Sequence, residues 1–313
     1  MPENEQSKAL SARCAYQLAD VEKTAPQFIS ITPRWLTIFL DWKPLESGIF
    51  RLNKVKKGET LLDVLCAQSN SDDIPEGFID YEAQPREYIL TSVSSIIKIE
   101  TRVSDIYSKP YDQIKEQLRL GMESIKEKQE SLIVNGDDYG LLKNIDDSQR
   151  IQTRNGAPSP DDLDELIAKV WKRPSFFLAH PRAIAAFGRE CTRRGVPPVV
   201  VNMHGSPFMT WRGIPIVPTD KLLIDGQKNP ADGKGKTNIL LIRSGEENQG
   251  VVGLYQTGLP GEQSRGLSVR FMGINNQGIG YYLLSIYCSV AILTDDAIAV
   301  LENVEVGNYY DYK

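Results

Sequence analysis

Between positions 110 and 134 apolar residues recur at helical spacing. Tyr111, Ile114, Leu118, Met122, Ile125 and Leu132 fall on one stripe, while Lys115, Glu116, Arg119, Glu123, Lys126, Glu127 and Lys128 point elsewhere. The pattern predicts one long amphipathic helix, opened by Pro110 at a position where the missing N–H costs nothing and stopped by Asn135-Gly136 in a left-handed turn. At 1.5 Å per residue it spans roughly 37 Å, far more than a usual helix, so its stripe needs a broad surface. Period two appears before it: Ile89, Val93, Ile97, Ile99 and Val103 alternate with Ser92, Ser94, Lys98, Glu100 and Arg102, as in a half-buried strand. With the loop-like composition of residues 66–85, this predicts an extended hairpin over 48–103. Isolated two-stranded ribbons are marginal in water, so the hairpin is expected to rest on another copy. Near the C-terminus Tyr282, Leu284, Ile286, Cys288, Val290 and Ile292 alternate over a run too short for a membrane span of ~20 residues, which predicts a central strand.

Other elements follow from capping chemistry. Ser159 caps a helix begun by Pro160, with Asp161, Asp162, Asp164 and Glu165 at its positive end and Leu163, Leu166, Ile167, Val170 and Trp171 as its buried face. Phe176 to Ala179 reads as a buried strand. A helix from about Arg182, with Ile184, Phe187 and Cys191 inward, stops at Gly195. Strands are expected at Val199 to Val201, Gly213 to Val217, Ile239 to Arg243 and Leu267 to Met272. Thr294, with Asp295 and Asp296, would cap a short helix to Leu301 before a last strand from Asn303 to Val306. At the other end Leu10, Cys14, Leu18 and Val21 form a weak stripe, and Thr32-Pro33 would cap a short helix from Arg34 to Leu40. Trp35, Leu36, Ile38, Phe39, Leu40 and Trp42 are too apolar to stay in water, so they pack on the parent domain or clasp a neighbouring subunit.

Composition narrows the functional classes. The 313 residues suggest about two domains, and 41% hydrophobic with 25% charged residues is ordinary for a globular chain. A net charge of -5 leaves no basic footprint for a dedicated nucleic-acid binder. Cys14, Cys66, Cys191 and Cys288 show neither zinc-site nor disulfide spacing, which fits a reducing cytoplasm, and the first residues lack a signal-peptide pattern. Gly235-Lys236-Thr237 mimics the end of a phosphate-binding loop, but Pro230 stands where the opening Gly belongs and a strand follows where a helix is needed. His180 and His204 are the only histidines. Neither is placed to activate Cys191, which reads as a structural thiol, and His204-Gly205 reads as a turn. With no hydrolase, metalloprotease or dinucleotide motif, the expectation is no catalytic residue, no metal site, no cofactor and no enzyme.

The order of arm, extended hairpin, spine helix, compact domain and returning strands resembles the major capsid fold of tailed phages, an α+β architecture. Three passages sharpen the resemblance: residues 135–142 (NGDDYGLL), residues 177–181 (FLAHP) and residues 211–221 (WRGIPIVPTDK), together with residues 31–35 (ITPRW) and Trp42. On these the chain is similar to family 2A encapsulin shell proteins over nearly its whole length. The resemblance implies an N-terminal arm (1–47), an extended loop (48–103), a peripheral domain with the spine helix (104–158 and 267–313) and an axial domain (159–266). It also implies self-assembly into an icosahedral shell, sixty copies in the simplest case, in the bacterial cytoplasm. The shell would enclose a cysteine desulfurase and so serve sulfur metabolism, without nucleic acid or membrane. By position, Arg193, Arg194, Gly195, Val196, Pro197 and Pro198 would line the five-fold pore, and Trp35, Leu36, Ile38, Phe39, Leu40 and Trp42 would form the inter-subunit arm. A phage capsid around DNA is the alternative with the same fold, and a free-standing enzyme the less favoured one.

Overall fold

The computed structural model describes residues 32–55, 79–100, 113–225, 235–307 and 309. In chain order the elements are α1 (Trp35–Phe39), β1 (Trp42–Leu45), β2 (Ile49–Leu52), β3 (Arg86–Ile89), β4 (Thr91–Glu100), α2 (Gln113–Asn135) and α3 (Leu141–Asn144). There follow β5 (Arg150–Gln152), α4 (Pro160–Lys169), β6 (Phe176–Ala179), α5 (Pro181–Arg193), β7 (Val199–Met203), β8 (Ser206–Trp211) and β9 (Ile214–Pro218). The chain closes with β10 (Lys236–Ile242), β11 (Val251–Gln256), β12 (Glu262–Ser264), β13 (Leu267–Ile274), β14 (Ile279–Ile292) and β15 (Ile298–Glu305).

Two sheets organise these elements. The first is built on the 14-residue β14, which pairs antiparallel with β4 on one side and with β13 and then β11 on the other; β1 and β12 extend it. The spine helix α2 lies across this sheet, where Ile125, Leu118 and Met122 pack on Leu284, Ile286, Val93 and Ile97. Its apolar stripe is therefore covered by the period-two faces of β4 and β14. The second sheet runs β5-β15-β10-β6-β9-β8-β7, with α4 and α5 packed on it through Leu163, Leu166, Phe187 and Cys191. β2 and β3 pair antiparallel as a two-stranded ribbon, with Ile49 opposite Ile89.

Several expectations are met at the level of single residues. Ser159 and Asp162 form a reciprocal capping box, and Pro160 opens α4. His204-Gly205 makes the two-residue turn between β7 and β8. Gly195 ends the α5 segment at φ 71°, a left-handed position that a β-carbon disfavours.

Other expectations are corrected. Gly136 is not left-handed: its N–H donates to the Leu132 carbonyl at 2.8 Å, and a β-carbon there would lie 2.5 Å from that oxygen. Trp171 is exposed rather than buried, because α4 ends at Lys169 and the chain leaves the helical face. Ile89 is exposed too, since the chain breaks at Leu90 and β3 belongs to the hairpin. Thr294 does not cap a helix to Leu301; one 3₁₀ turn, Asp295–Ala297, leads straight into β15, and the Thr294 hydroxyl bonds Arg243 and Gln249 instead. β15 and β5 hydrogen-bond into the second sheet although both were expected with the spine, and β11 joins the spine sheet although it was expected in the compact domain. The stripe at Leu10 to Val21, the start of the spine at Pro110, most of the hairpin tip and residues 226–234 lie outside the described residues.

Candidate assembly site

The arm is built from α1 and β1. Leu36 and Leu40 are 0% and 2% exposed within their own chain. The Trp35 ring stands edge-on to Phe208 at 5.1 Å, and Phe39 meets Phe208 and Phe176 at 5.5 Å each. The Trp42 indole N–H donates to the Thr37 carbonyl at 2.9 Å, and its ring covers Gly253, where β1 runs parallel to β11. Leu36 and Leu40 thus spend their side chains inside their own chain. Ile38, 48% exposed, is the residue of this set that faces outward.

What holds the arm on the spine is polar, and the periodicity did not reveal it. Thr32-Pro33 does not cap α1; Arg34 takes that place in a left-handed conformation, with no side-chain cap. Thr32 is turned to the spine instead. Its N–H and hydroxyl donate to Glu127 Oε1 at 2.7 and 3.1 Å, Arg34 pairs with Glu123 at 2.6 Å, and the Arg34 guanidinium also reaches Glu127 at 3.3 Å. From the compact domain Lys221 Nζ pairs with Glu127 at 2.6 Å and with Asp220 at 2.7 Å. Asn135 donates to the Lys221 carbonyl at 2.7 Å. Burial works against the charge on Glu127, but hydrogen bonds from Lys221 and Thr32 outweigh it and hold the carboxyl below its ordinary range. Burial likewise opposes the Lys221 charge, yet Asp220 and Glu127 keep the ammonium above its ordinary value. The helical pattern placed Glu127 only off the apolar stripe. The signal available was its partner set, two cations and the Thr32 donors from separate passages, which one sequence does not display.

The candidate pore turn follows the C-terminus of α5 and is mostly exposed. Arg193 and Arg194 both ion-pair with Glu190, one to each carboxylate oxygen, so the tip carries less positive charge than its two arginines suggest. Gly195, Val196 and Pro197 are exposed, Pro198 is half-buried, and β7 beyond them is the edge strand of its sheet. His180 and Cys191 sit at opposite ends of α5. The His180 Nδ1 accepts the Arg182 N–H at 3.1 Å as a helix cap, and burial pushes the Cys191 thiol up to about 11, an inert state. Lys236 and Thr237 begin β10, where a phosphate-binding loop would require a helix. No helix among the described residues is long and apolar enough to cross a membrane.

A spine helix on one sheet, a compact domain on another, an arm and a two-stranded ribbon together define the tailed-phage major capsid fold. The capsid of a native GTA particle matches it with a TM-score of 0.59 at 11% identity, covering 94% of this chain and 98% of that one, a likeness of fold alone. The chain belongs to the type 2A encapsulin shell proteins: the family model for SrpI-like shell proteins matches residues 50–308. The type 2A encapsulin shell protein SrpI of Synechococcus elongatus is 55% identical over 313 residues, covering 100% of this chain and 99% of the relative. The holo-SrpI encapsulin complex from Synechococcus elongatus PCC 7942, solved by electron cryomicroscopy, superposes with a TM-score of 0.82 at 54% identity, covering 97% of this chain and 99% of that one. The protein is therefore a structural shell subunit of an icosahedral bacterial nanocompartment, and its relatives are named for a shell rather than for a reaction.

Proposed function

We propose that the chain assembles, in sixty copies in the simplest icosahedral case, into a closed shell in the bacterial cytoplasm that encloses a cysteine desulfurase. The observation that carries this reading is the match to a holo encapsulin complex over nearly all of both chains. The cargo class is the one the type 2A resemblance implies; a desulfurase places the compartment in sulfur metabolism. The turn Arg193, Arg194, Gly195, Val196, Pro197 and Pro198 lines the five-fold opening in this reading. Ile38 is the arm residue left to meet a neighbour. No nucleic acid is packaged and no membrane is involved. Co-expression with the desulfurase of the same bacterium tests the cargo: the enzyme should co-elute with shells and resist added protease. A desulfurase that stays outside, fully digested, would remove that assignment. Nucleic acid protected inside purified shells would favour a phage-capsid reading, which the 11% identity to capsids does not recommend.

A further inference from the structure

Beneath the arm lies a carboxyl that the ionic cluster does not neutralise. Glu130, one turn beyond Glu127 on α2, is 1% exposed, and its Oε2 has no hydrogen-bond partner among the described residues. The charged groups around it come from each packed element: Arg34 from the arm, Glu123, Lys126 and Glu127 from the spine, and Asp220 and Lys221 from the segment after β9. His180, at the start of α5, faces the same Asp220. Three cations already meet three carboxylates: Arg34 and Lys126 pair with Glu123, and Lys221 pairs with Glu127 and Asp220. Glu130 is a fourth carboxyl with no cation of its own, set between the Leu36 backbone and the spine.

We propose that Glu130 is a proton-operated latch: with its proton it seals the junction of arm and spine, and without it the buried charge loosens the arm. Burial, reinforced by Glu127 and Asp220, pushes this carboxyl up from its ordinary 4.5 to about 7, against the pull of Lys221 and the Leu36 N–H. The sign follows from linkage. Below the ordinary value both the docked and the lifted arm hold the proton, and docking is tightest. As pH rises from there to neutrality the lifted state, with Glu130 hydrated, ionises first, so lifting becomes about tenfold easier per pH unit. Above the docked-state value both forms are ionised and the gain stops, at roughly a few hundredfold in total. The neutral shell therefore holds its arm more loosely than the acidic one.

Hydrogen–deuterium exchange of assembled shells from pH 5 to 8, corrected for intrinsic rates, reads the lifting equilibrium in peptides spanning residues 34–42. In the unmodified protein, arm opening should rise about fortyfold from pH 5 to 7 and level by pH 8, while peptides from β14 stay flat. Glu130→Gln, a neutral isostere, should remove the rise and keep the arm at its tight, low-pH level. His180→Gln should leave the rise in place. A flat wild-type profile, a Glu130→Gln profile that still climbs, or loss of the rise in His180→Gln overturns the latch. If Glu130→Gln fails to assemble, the wild-type and His180→Gln profiles decide the matter alone.

Discussion

Replacing Lys221 with Met should cost more than any single apolar truncation on the exposed face of the spine. The change keeps most of the side-chain volume but removes the ammonium that pairs with Glu127 at 2.6 Å and Asp220 at 2.7 Å. Glu127 is 6% exposed, so its charge cannot turn to water; it keeps only the Thr32 donors and the longer Arg34 contact. Removing one partner of a buried pair costs about 3 to 5 kcal/mol, and the surviving donors put this case near 3. For a chain of this size that is a fall of roughly 6 °C in the unfolding midpoint, by about 2 °C per kcal/mol. Differential scanning fluorimetry of purified shells at pH 7 reads it directly. Glu127→Gln added to Lys221→Met should recover part of the loss, because no unpaired charge is then left buried. A midpoint for Lys221→Met within about 1 °C of the parent, or a double variant worse than the sum of the singles, would refute the reasoning.

Three further outcomes follow from the same geometry. Trp35→Ala with Phe39→Ala removes both rings that meet Phe208, and at about 3 to 5 kcal/mol per buried aromatic it should abolish shells or leave them leaky to protease, whereas His204→Asn should leave them intact. Glu190→Gln frees the charge of Arg193 and Arg194, so entry of an anionic quencher to an encapsulated fluorophore should quicken and that of a cationic one slow, with the difference fading in high salt; equal changes for both quenchers would remove the tip from the pore. Asp296 is a strongly acid-sensitive group: burial opposes its charge, but Arg243, Lys172 and Thr294 outweigh this and hold it far below the usual carboxylate range, so its contribution is present above about pH 4 and fades as the pH falls further. Asp296→Asn should therefore lower the unfolding midpoint at pH 7 and narrow the gap to the parent near pH 3.

The sequence displayed those parts of the fold that depend on local periodicity. The stripe from Ile114 to Leu132, the alternation along β14 and the capping box at Ser159 each reflect forces acting within a few residues. Pairing between distant strands was hidden. β15 sits in the compact sheet because its register with β10 buries Ala299 and Leu301 there, a choice made by packing across many residues and not by its own pattern. β8 was not among the expected strands, although pairing with β7 and β9 makes it one. Of the apolar arm residues, Leu36, Leu40 and the rings of Trp35, Phe39 and Trp42 find their cover in their own chain, while Ile38 stays exposed. The ionic cluster was least legible: Glu127, Glu130 and Lys221 look like solvent-facing charges until the arm and the segment after β9 close over the spine.

The central claim is that this chain is a shell subunit that closes into a shell with other copies of itself. Purified recombinant protein, expressed without any partner and imaged by electron cryomicroscopy alongside multi-angle light scattering, tests it most directly. The account predicts closed, hollow, icosahedrally symmetric particles with a mass in the megadalton range, about sixty times the single chain in the simplest case. A monodisperse species at the mass of one chain, 35.0 kDa, at micromolar concentration would contradict it.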